Sequence, residues 1–259
     1  MPEQRAVNPA ATGNGELIFG AAPRGSYADD RAIYQPIVEY LSRVTGKRVV
    51  YRHADNWLSY SKNMTSGAYD LVFDDPALNG WRIERMDHRP LVKLPDDLVF
   101  VVLTRADDSK VKELKQLAGH RVCAYTAPNL GTLTLMSEFD NPVRRPVIVE
   151  SRSWDDSYRN LIDKQCAAVV IPLKHAQTLR MDTMKVLYQL RPSPNQAFSA
   201  GPRVPIELQE KIRAALLSDT GKEATAKLRE TYAAKELIPA STAEYAGLGK
   251  LLRNELYYY

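Results

Sequence analysis

The chain has 259 residues, 44% hydrophobic and 25% charged, which is the composition of a globular protein with room for two modest cores or one large one. Its 35 Lys and Arg against 31 Asp and Glu give a net charge of +4 without a long basic run, so we expect no nucleic-acid partner. The longest apolar runs, such as Leu98 to Leu103, are too short to cross a bilayer. These features exclude disordered, fibrous and membrane-spanning classes.

Residues 1–15 precede the first predicted strand. They contain Pro, Asn, Gly and Ala but lack the apolar core of a signal peptide. We interpret them as a flexible leader, of the kind that remains when a signal has been removed and an initiator Met added. The chain as given is therefore predicted to carry no signal peptide.

Three strands with short closing loops are predicted in the first part of the chain, at 17–23, 49–51 and 71–76. Apolar residues from Arg31 to Val44 lie on one helical face, and Gly46 ends this helix. A shorter helix from Trp57 to Ser66 leads to the third strand. The order predicts a right-handed βαβ unit at the start of the fold.

The same pattern returns about a hundred residues later. Strands are predicted at 122–128, 147–149 and 168–172, with helices at 130–139 and 157–164 between them. In both passes a Pro closes the first and third strands, and a Trp and a Tyr follow the second. Two similar α/β lobes bring two sets of strand carboxyl ends opposite each other, so a ligand held between them would touch both.

Two apolar segments are predicted to connect the lobes. The first crossing is 98–103, and the return is 186–190 followed by the Pro-stiffened segment 191–195. Helices at 205–218 and 222–234 then pack on the first lobe. The fold prediction is α/β, with two doubly wound lobes joined by a two-crossing hinge. Lobe 1 comprises 16–103 plus 191–259, and lobe 2 comprises 104–190. Hinged lobes of this kind close on ligands.

Cys123 and Cys166 are the only cysteines. They lie at the first and third strands of the second pass, which are expected to be neighbours, so a disulfide between them is geometrically allowed. Closing a loop of that length would contribute roughly 4 kcal/mol and would indicate an oxidising compartment. The alternative is two buried free thiols that pack as small hydrophobic groups.

Several segments carry a family resemblance from Leu17 onward. They are Phe19–Pro23, Tyr69–Phe73 with Pro76–Ala77, Leu114–Val122, Pro128–Leu135, Ala167–Val170 and Pro194–Asn195. In order and spacing they resemble the periplasmic phosphate, phosphite and phosphonate-binding proteins of ABC transporters, which have the type 2 periplasmic-binding-protein fold. The resemblance implies a periplasmic protein that captures a small polar ligand by hinge closure and passes it to an ABC permease. It implies no cofactor and no catalysis, and we expect a monomer.

Two departures from the family pattern concern the ligand. Family members that hold phosphonates tend to have a Ser-Thr-Ser type run at a helix start, where this chain has Leu130, Gly131 and Thr132. Asp74 and Asp75 stand where the family usually has a Gly before Pro. A carboxylate repels an anion and attracts an ammonium group or a hydroxyl. The ligand therefore stays open between a phosphorus oxyanion or phosphonate and an amine or amino acid.

The candidate ligand-binding residues lie at the carboxyl ends of predicted strands or in the loops and helix starts that follow them. They are Arg24, Tyr27, Asn56, Trp57, Asp74, Asp75, Thr126, Asn129, Gly131, Thr132, Ser153 and Trp154. Thr132, in a first helical turn, is the preferred polar anchor. Trp57 and Trp154 could clamp a ligand, or could pack their own helices onto the sheets. Of the two adjacent carboxylates, we expect one to cap the helix at Pro76 and the other to face the cleft.

No motif in the sequence indicates catalysis. The four His residues lack metal-site spacing, and there is no nucleophile elbow, P-loop, dinucleotide fingerprint or CxxC, so we predict neither a metal nor a catalytic residue. Two alternatives keep the fold: a periplasmic sensor whose closure is read by a signalling partner, or a small-metabolite enzyme. The run Tyr257–Tyr259 has no assigned role, beyond packing against lobe 1.

Overall fold

The computed structural model describes residues 15–253 and residue 255. The predicted leader, except for its last residue Gly15, and the Tyr257–Tyr259 run lie outside these residues. The chain forms two compact units. The first comprises the residues up to Asp96 together with those from Pro194 onward, and the second is Asp97–Ser193. The backbone thus leaves the first unit once and returns once.

The first unit begins with three strand and helix pairs and a fourth strand. These are β1 (Leu17–Ala21), α1 (Tyr27–Thr45), β2 (Val49–Tyr51), α2 (Trp57–Thr65), β3 (Leu71–Asp74), α3 (Pro76–Met86) and β4 (Arg89–Lys93). Helix α1 begins at Tyr27, before the predicted Arg31, because Ser26 and Asp29 form a capping box.

The second unit repeats this arrangement. Its elements are β5 (Asp97–Leu98), β6 (Phe100–Arg105), β7 (Arg121–Ala124), α4 (Leu130–Ser137), β8 (Val147–Glu150), α5 (Trp154–Ile162), β9 (Ala168–Pro172), α6 (Leu173–Ala176) and β10 (Met184–Gln189). Short 3-10 turns occupy 114–117, 142–144 and 181–183.

The returning chain completes the first unit. Its elements are β11 (Ser193–Pro194), β12 (Ala197–Ala200), α7 (Ile206–Leu216), α8 (Asp219–Ala224), α9 (Ala226–Thr231), β13 (Ile238–Pro239), α10 (Thr242–Tyr245) and a 3-10 turn at 248–252. The helix predicted over 222–234 is wrong as one element, since α8 and α9 meet at Thr225 and α8 begins at Asp219.

The two main sheets share one strand order. The first runs β13-β4-β12-β3-β1-β2 and the second β10-β6-β9-β7-β8. In each, the first strand lies parallel between the second and third, and an antiparallel strand follows. The prediction of two α/β lobes is confirmed, and the fold is that of type 2 periplasmic-binding proteins. A further two-stranded sheet pairs β5 with β11 at the crossings.

The segment predicted as the first crossing has a different place. Strand β6 pairs with β9 on one side and with β10 on the other, so it is an inner strand of the second sheet. This pairing explains its continuous apolar sequence, because both faces are covered. The structural division therefore falls at 96/97 and 193/194, whereas the sequence placed it at 103/104 and 190/191.

Each unit has its own hydrophobic core. The core of the first unit is rich in aromatic residues, with Phe73 and Phe198 at 4.7 Å between ring centroids and Phe19 and Tyr34 at 5.6 Å. The smaller core of the second unit contains Cys123, Cys166 and the aliphatic residues of β6 and β9. Cys123 and Cys166 form a disulfide, which confirms that prediction.

Candidate ligand-binding site

In the first unit, Arg24 and Tyr27 lie in and beside the exposed loop after β1. Tyr27 is 55% exposed, and the edge of its ring meets the His53 ring at 5.3 Å between centroids. The Arg24 guanidinium carbon lies 5.6 Å from the centre of the Tyr232 ring, a cation–π arrangement. Tyr232 comes from the returning chain, so its proximity to this loop was not visible in the sequence.

The loop after β2 carries Asn56 and Trp57. The Asn56 side chain caps α2, because its Oδ1 accepts a hydrogen bond from the Ser59 N–H at 2.9 Å. Trp57 is partly buried and packs edge-on against Tyr60 at 5.9 Å between ring centroids. This contact is the packing role that the sequence left open for the residue; its role as a ligand clamp stays a prediction.

Asp74, the last residue of β3, is fully buried and does not face solvent. Its Oδ2 accepts a hydrogen bond from Arg82 Nε at 2.8 Å, and its Oδ1 accepts one from the Tyr60 hydroxyl. Arg82 Nη2 donates to the same hydroxyl at 2.9 Å. The expectation that one of the two carboxylates faces a cleft is therefore wrong for Asp74, because helices α2 and α3 supply partners for both of its oxygens.

Of the two adjacent carboxylates, one of which was predicted to cap the helix at Pro76, Asp75 is the cap. Its Oδ1 accepts a hydrogen bond from the Leu78 N–H at 3.0 Å, and Pro76 opens α3. Burial raises the pKa of the Asp75 carboxyl to about 6, against the opposing effects of the Leu78 N–H and the Arg24 charge. Between them, the two adjacent carboxylates are thus engaged by Arg82, Tyr60 and the N-terminus of α3.

In the second unit, α4 begins directly after the loop that follows β7. Asn129 Oδ1 accepts a hydrogen bond from the Gly131 N–H at 3.0 Å, and the Leu133 N–H bonds to the Asn129 carbonyl. Within the described chain, the Leu130 and Thr132 N–H groups have no hydrogen-bond acceptor. Gly131 is required by close packing, because an added Cβ would lie 2.5 Å from the Phe100 ring.

Thr132 is buried, and its hydroxyl donates to the carbonyl of Tyr125. The predicted anchor therefore has its hydroxyl proton committed, and the donor that remains is its backbone N–H. The first turn of α4 places this side chain against the Tyr125 carbonyl of the preceding loop, and the role of Thr132 as ligand anchor stays a prediction. Thr126 in that loop is exposed, and the Asn129 side-chain amide is free to donate because only its Oδ1 serves as the cap.

Ser153 and Trp154 occupy in the second unit the place of Asn56 and Trp57 in the first. Ser153 caps α5 by accepting a hydrogen bond from the Asp156 N–H at 3.0 Å. Trp154 packs against Tyr125 and Phe100, with ring centroids at 4.0 and 6.2 Å. Both equivalent loops therefore use a polar cap followed by an indole that packs on its own unit.

Three residues that contact the predicted site residues were not predicted from the sequence: Arg82, Tyr60 and Tyr232. Arg82 lies mid-helix in an ordinary charged stretch, and only its depth in the fold distinguishes it. The available signal was indirect: a buried strand ending in a carboxylate needs a cation or donors nearby.

The described residues contain no group of three or more His, Cys, Asp or Glu that could hold a metal ion. Among the same residues, no helix is both long enough and apolar enough to cross a membrane.

Residues 19–245 match the sequence model of a family described as ABC transporter, phosphonate, periplasmic substrate-binding protein. The chain belongs to this family. The resemblance and the transport-protein function predicted from the sequence are confirmed. Members of the phosphonate-binding family are periplasmic substrate-binding proteins that bind a small ligand, work with ABC permease components and are not enzymes.

Solved structures share the fold. XAC2383 from Xanthomonas citri, bound to ATP, is 13% identical with a TM-score of 0.73 and covers 95% of this chain and 99% of its own. PhnD1 from Prochlorococcus marinus, in complex with methylphosphonate, is 14% identical with a TM-score of 0.68 and covers 93% and 98%.

A curated relative matches part of the chain. The phosphate-import protein PhnD of Mycolicibacterium smegmatis is 27% identical in an alignment 119 residues long, which covers 41% of this chain and 36% of that protein. The matched part thus spans about a third of this relative's length.

Proposed function

We propose that this chain binds a phosphorus oxyanion, either a phosphonate or inorganic phosphate, for import by an ABC transporter. The observation that carries the proposal is the start of α4, where the N–H groups of Leu130 and Thr132 have no acceptor within the described chain. A helix N-terminus with free N–H groups favours a negatively charged oxygen. The Asn129 amide and the Thr126 hydroxyl are the further donors of this set.

The two carboxylates after β3 have partners within the first unit, which favours an anion over an amine as the ligand. Asp74 is neutralised by Arg82, and Asp75 caps α3. Arg24 lies at the same end of the sheet and interacts electrostatically with both carboxylates. We therefore assign Arg24 as the cationic contact of the first unit. Tyr27, Asn56, Trp57, Ser153 and Trp154 remain proposed lining residues.

The proposal also covers the way the protein works. We infer a monomer without nucleic acid or cofactor, whose partner is the permease of the same transporter. The relatives named above include a phosphate-import protein and a protein solved with methylphosphonate, which sets the two ligands to test first.

The first experiment is a thermal-shift and calorimetric screen of the purified protein. The ligands are phosphate, phosphite, methylphosphonate, methanesulfonate, glutamate and ethanolamine. A ligand that binds only the folded state adds about 2.7 kcal/mol to the free energy of unfolding at a hundredfold excess over Kd, and this raises the melting temperature. A shift with phosphate or a phosphonate is expected. A shift only with amines or amino acids would reject the oxyanion.

A matched pair of variants then tests the position of the ligand. Asn129→Asp keeps the capping oxygen but places a negative charge at the start of α4, so we expect oxyanion affinity to fall on the order of a hundredfold. Asn141→Asp is the control, because Asn141 caps the 3-10 turn of the same unit through an identical bond to Val143 at 3.0 Å. Equal effects of the two variants would reject α4 as the anion site.

A further inference from the structure

A buried network of three side chains ends strand β3 in the first unit. Asp74 comes from the strand, Tyr60 from α2 and Arg82 from α3, and each makes a hydrogen bond to both of the others. None of the three is more than 1% exposed. The Arg82 guanidinium carbon also lies 5.8 Å from the Tyr60 ring centre and 5.6 Å from that of Tyr69.

The charges of this network cancel. Arg82 and Asp74 form an ion pair, and burial raises the pKa of the Tyr60 hydroxyl well above its usual range, so it stays neutral. His88 is buried nearby and is also neutral, because burial and the charges of Arg82 and Arg203 lower its pKa well below the usual range. Without Arg82, the only remaining formal charge of the network would be the Asp74 carboxylate.

That charge would lie directly beneath the loop that begins α3. Asp74 precedes Asp75 and Pro76, and both carboxylates interact with Arg24, the cation that we assign to the ligand. In a poorly solvated region, an uncompensated charge acts over several ångströms with little screening. It would oppose an anion and weaken the effect of Arg24.

We propose that Arg82 is a positioning residue for ligand charge: it neutralises Asp74 from inside the fold and thereby makes the β3–α3 loop acceptable to an anion. This inference rests on the proposed function, because it requires the ligand to be an oxyanion.

The test measures methylphosphonate affinity by calorimetry in three variants. Arg82→Met removes the cation and leaves the carboxylate, so Kd should rise on the order of tenfold. Asp74→Asn removes the carboxylate and leaves the cation, so Kd should fall a few-fold. In the double variant both charges are gone, and Kd should return to within about threefold of the wild-type value.

The sign of the effects separates this role from a purely structural one. Both single changes break the same hydrogen-bonded network, so a structural role would weaken binding in both and most in the double variant. Weakened binding in both single variants would overturn the inference, and so would a double variant that binds more weakly than either of them. If Arg82→Met does not fold, Asp74→Asn and the double variant decide it, because weakened binding in both would overturn it equally.

The control is a second carboxylate–arginine pair, whose carboxylate immediately precedes the same strand. Asp70 and Arg203 pair at 2.6 Å at the opposite end of β3, away from the loops that carry the candidate residues. The double variant Asp70→Asn with Arg203→Met should lose stability and leave Kd unchanged. Absence of any phosphorus oxyanion binding by the wild-type protein would instead reject the proposed function, so the two failures are distinguishable.

Discussion

The third strand begins in the same way in both units but is joined to its neighbour by different chemistry. In the first unit, Asp70 precedes β3 and accepts the Ile18 N–H of β1 at 2.7 Å, while Arg203 holds its other oxygen. In the second unit, Cys166 precedes β9 and is bonded to Cys123 of the neighbouring β7. The same connection between neighbouring strands is thus a hydrogen bond to a carboxylate in one unit and a covalent bond in the other. A shared fold fixes where two strands must be joined and leaves the means open.

Removal of the disulfide is expected to have the largest effect, and to confine it to the second unit. Closing a loop of 43 residues contributes about 4 kcal/mol in the chain-entropy account. Reduction, or the variant Cys123→Ala with Cys166→Ala, should therefore destabilise the second unit by about that amount. Hydrogen exchange resolved by peptide should show the loss in β7 and β9, with protection in β1 and β3 retained. Equal loss in both units would contradict the division.

The Asp70 interactions of the first unit give the reciprocal prediction. Asp70→Ala leaves the Ile18 N–H without its buried acceptor and Arg203 without a partner, at a cost of about 3 kcal/mol. The same exchange experiment should locate the loss in β1 and β3, and the reducing agent should add nothing to it. Protection that falls in β7 instead would show that the two connections are not independent.

The two units also differ in how the caps of α3 and α4 respond to pH. Asp75 caps α3 with a carboxyl whose pKa is about 6, whereas α4 is capped by the uncharged Asn129. Because the folded-state pKa lies above the ordinary 3.8, the protonated Asp75 carboxyl stabilises the fold at low pH. This contribution to the free energy of unfolding is lost as the pH rises from about 4 to 6. Asp75→Asn should remove that slope and stabilise the protein at neutral pH by at most about 3 kcal/mol. Urea unfolding at pH 4, 5, 6 and 7 measures it. An unchanged slope would exclude Asp75 as its source.

The smallest effects concern the equivalent caps before the two indoles. Asn56→Ala and Ser153→Ala each remove one side-chain bond to a first-turn N–H, so each should cost about 1 kcal/mol. Chemical unfolding measures these losses of stability.

Tryptophan fluorescence tests the role of the two indoles in variants that keep only Trp57 or only Trp154. A change in fluorescence on adding ligand would support a lining role for that residue, and no change would assign it to packing alone.

The local elements were predictable because their signals are local. The strands at 17–21 and 168–172 follow from apolar runs closed by proline, and a carboxylate cap follows from Pro76, although the structure decided that Asp75 and not Asp74 provides it. The disulfide was also predictable, since the repeated strand pattern implies which strands are neighbours. The break at Thr225 was not, because amphipathic periodicity continues across it.

Long-range partners were decided by tertiary structure. No pattern around Asp74 names Arg82 or Tyr60 as its partners, and Thr132 looked free until its hydroxyl was found on the Tyr125 carbonyl. The sequence by itself determined the order of elements, the doubled α/β plan and the family, because periodicity and spacing survive without knowledge of contacts. Only the folded chain decided which strand ends are charged, since charge at a buried group depends on the partners that packing brings to it.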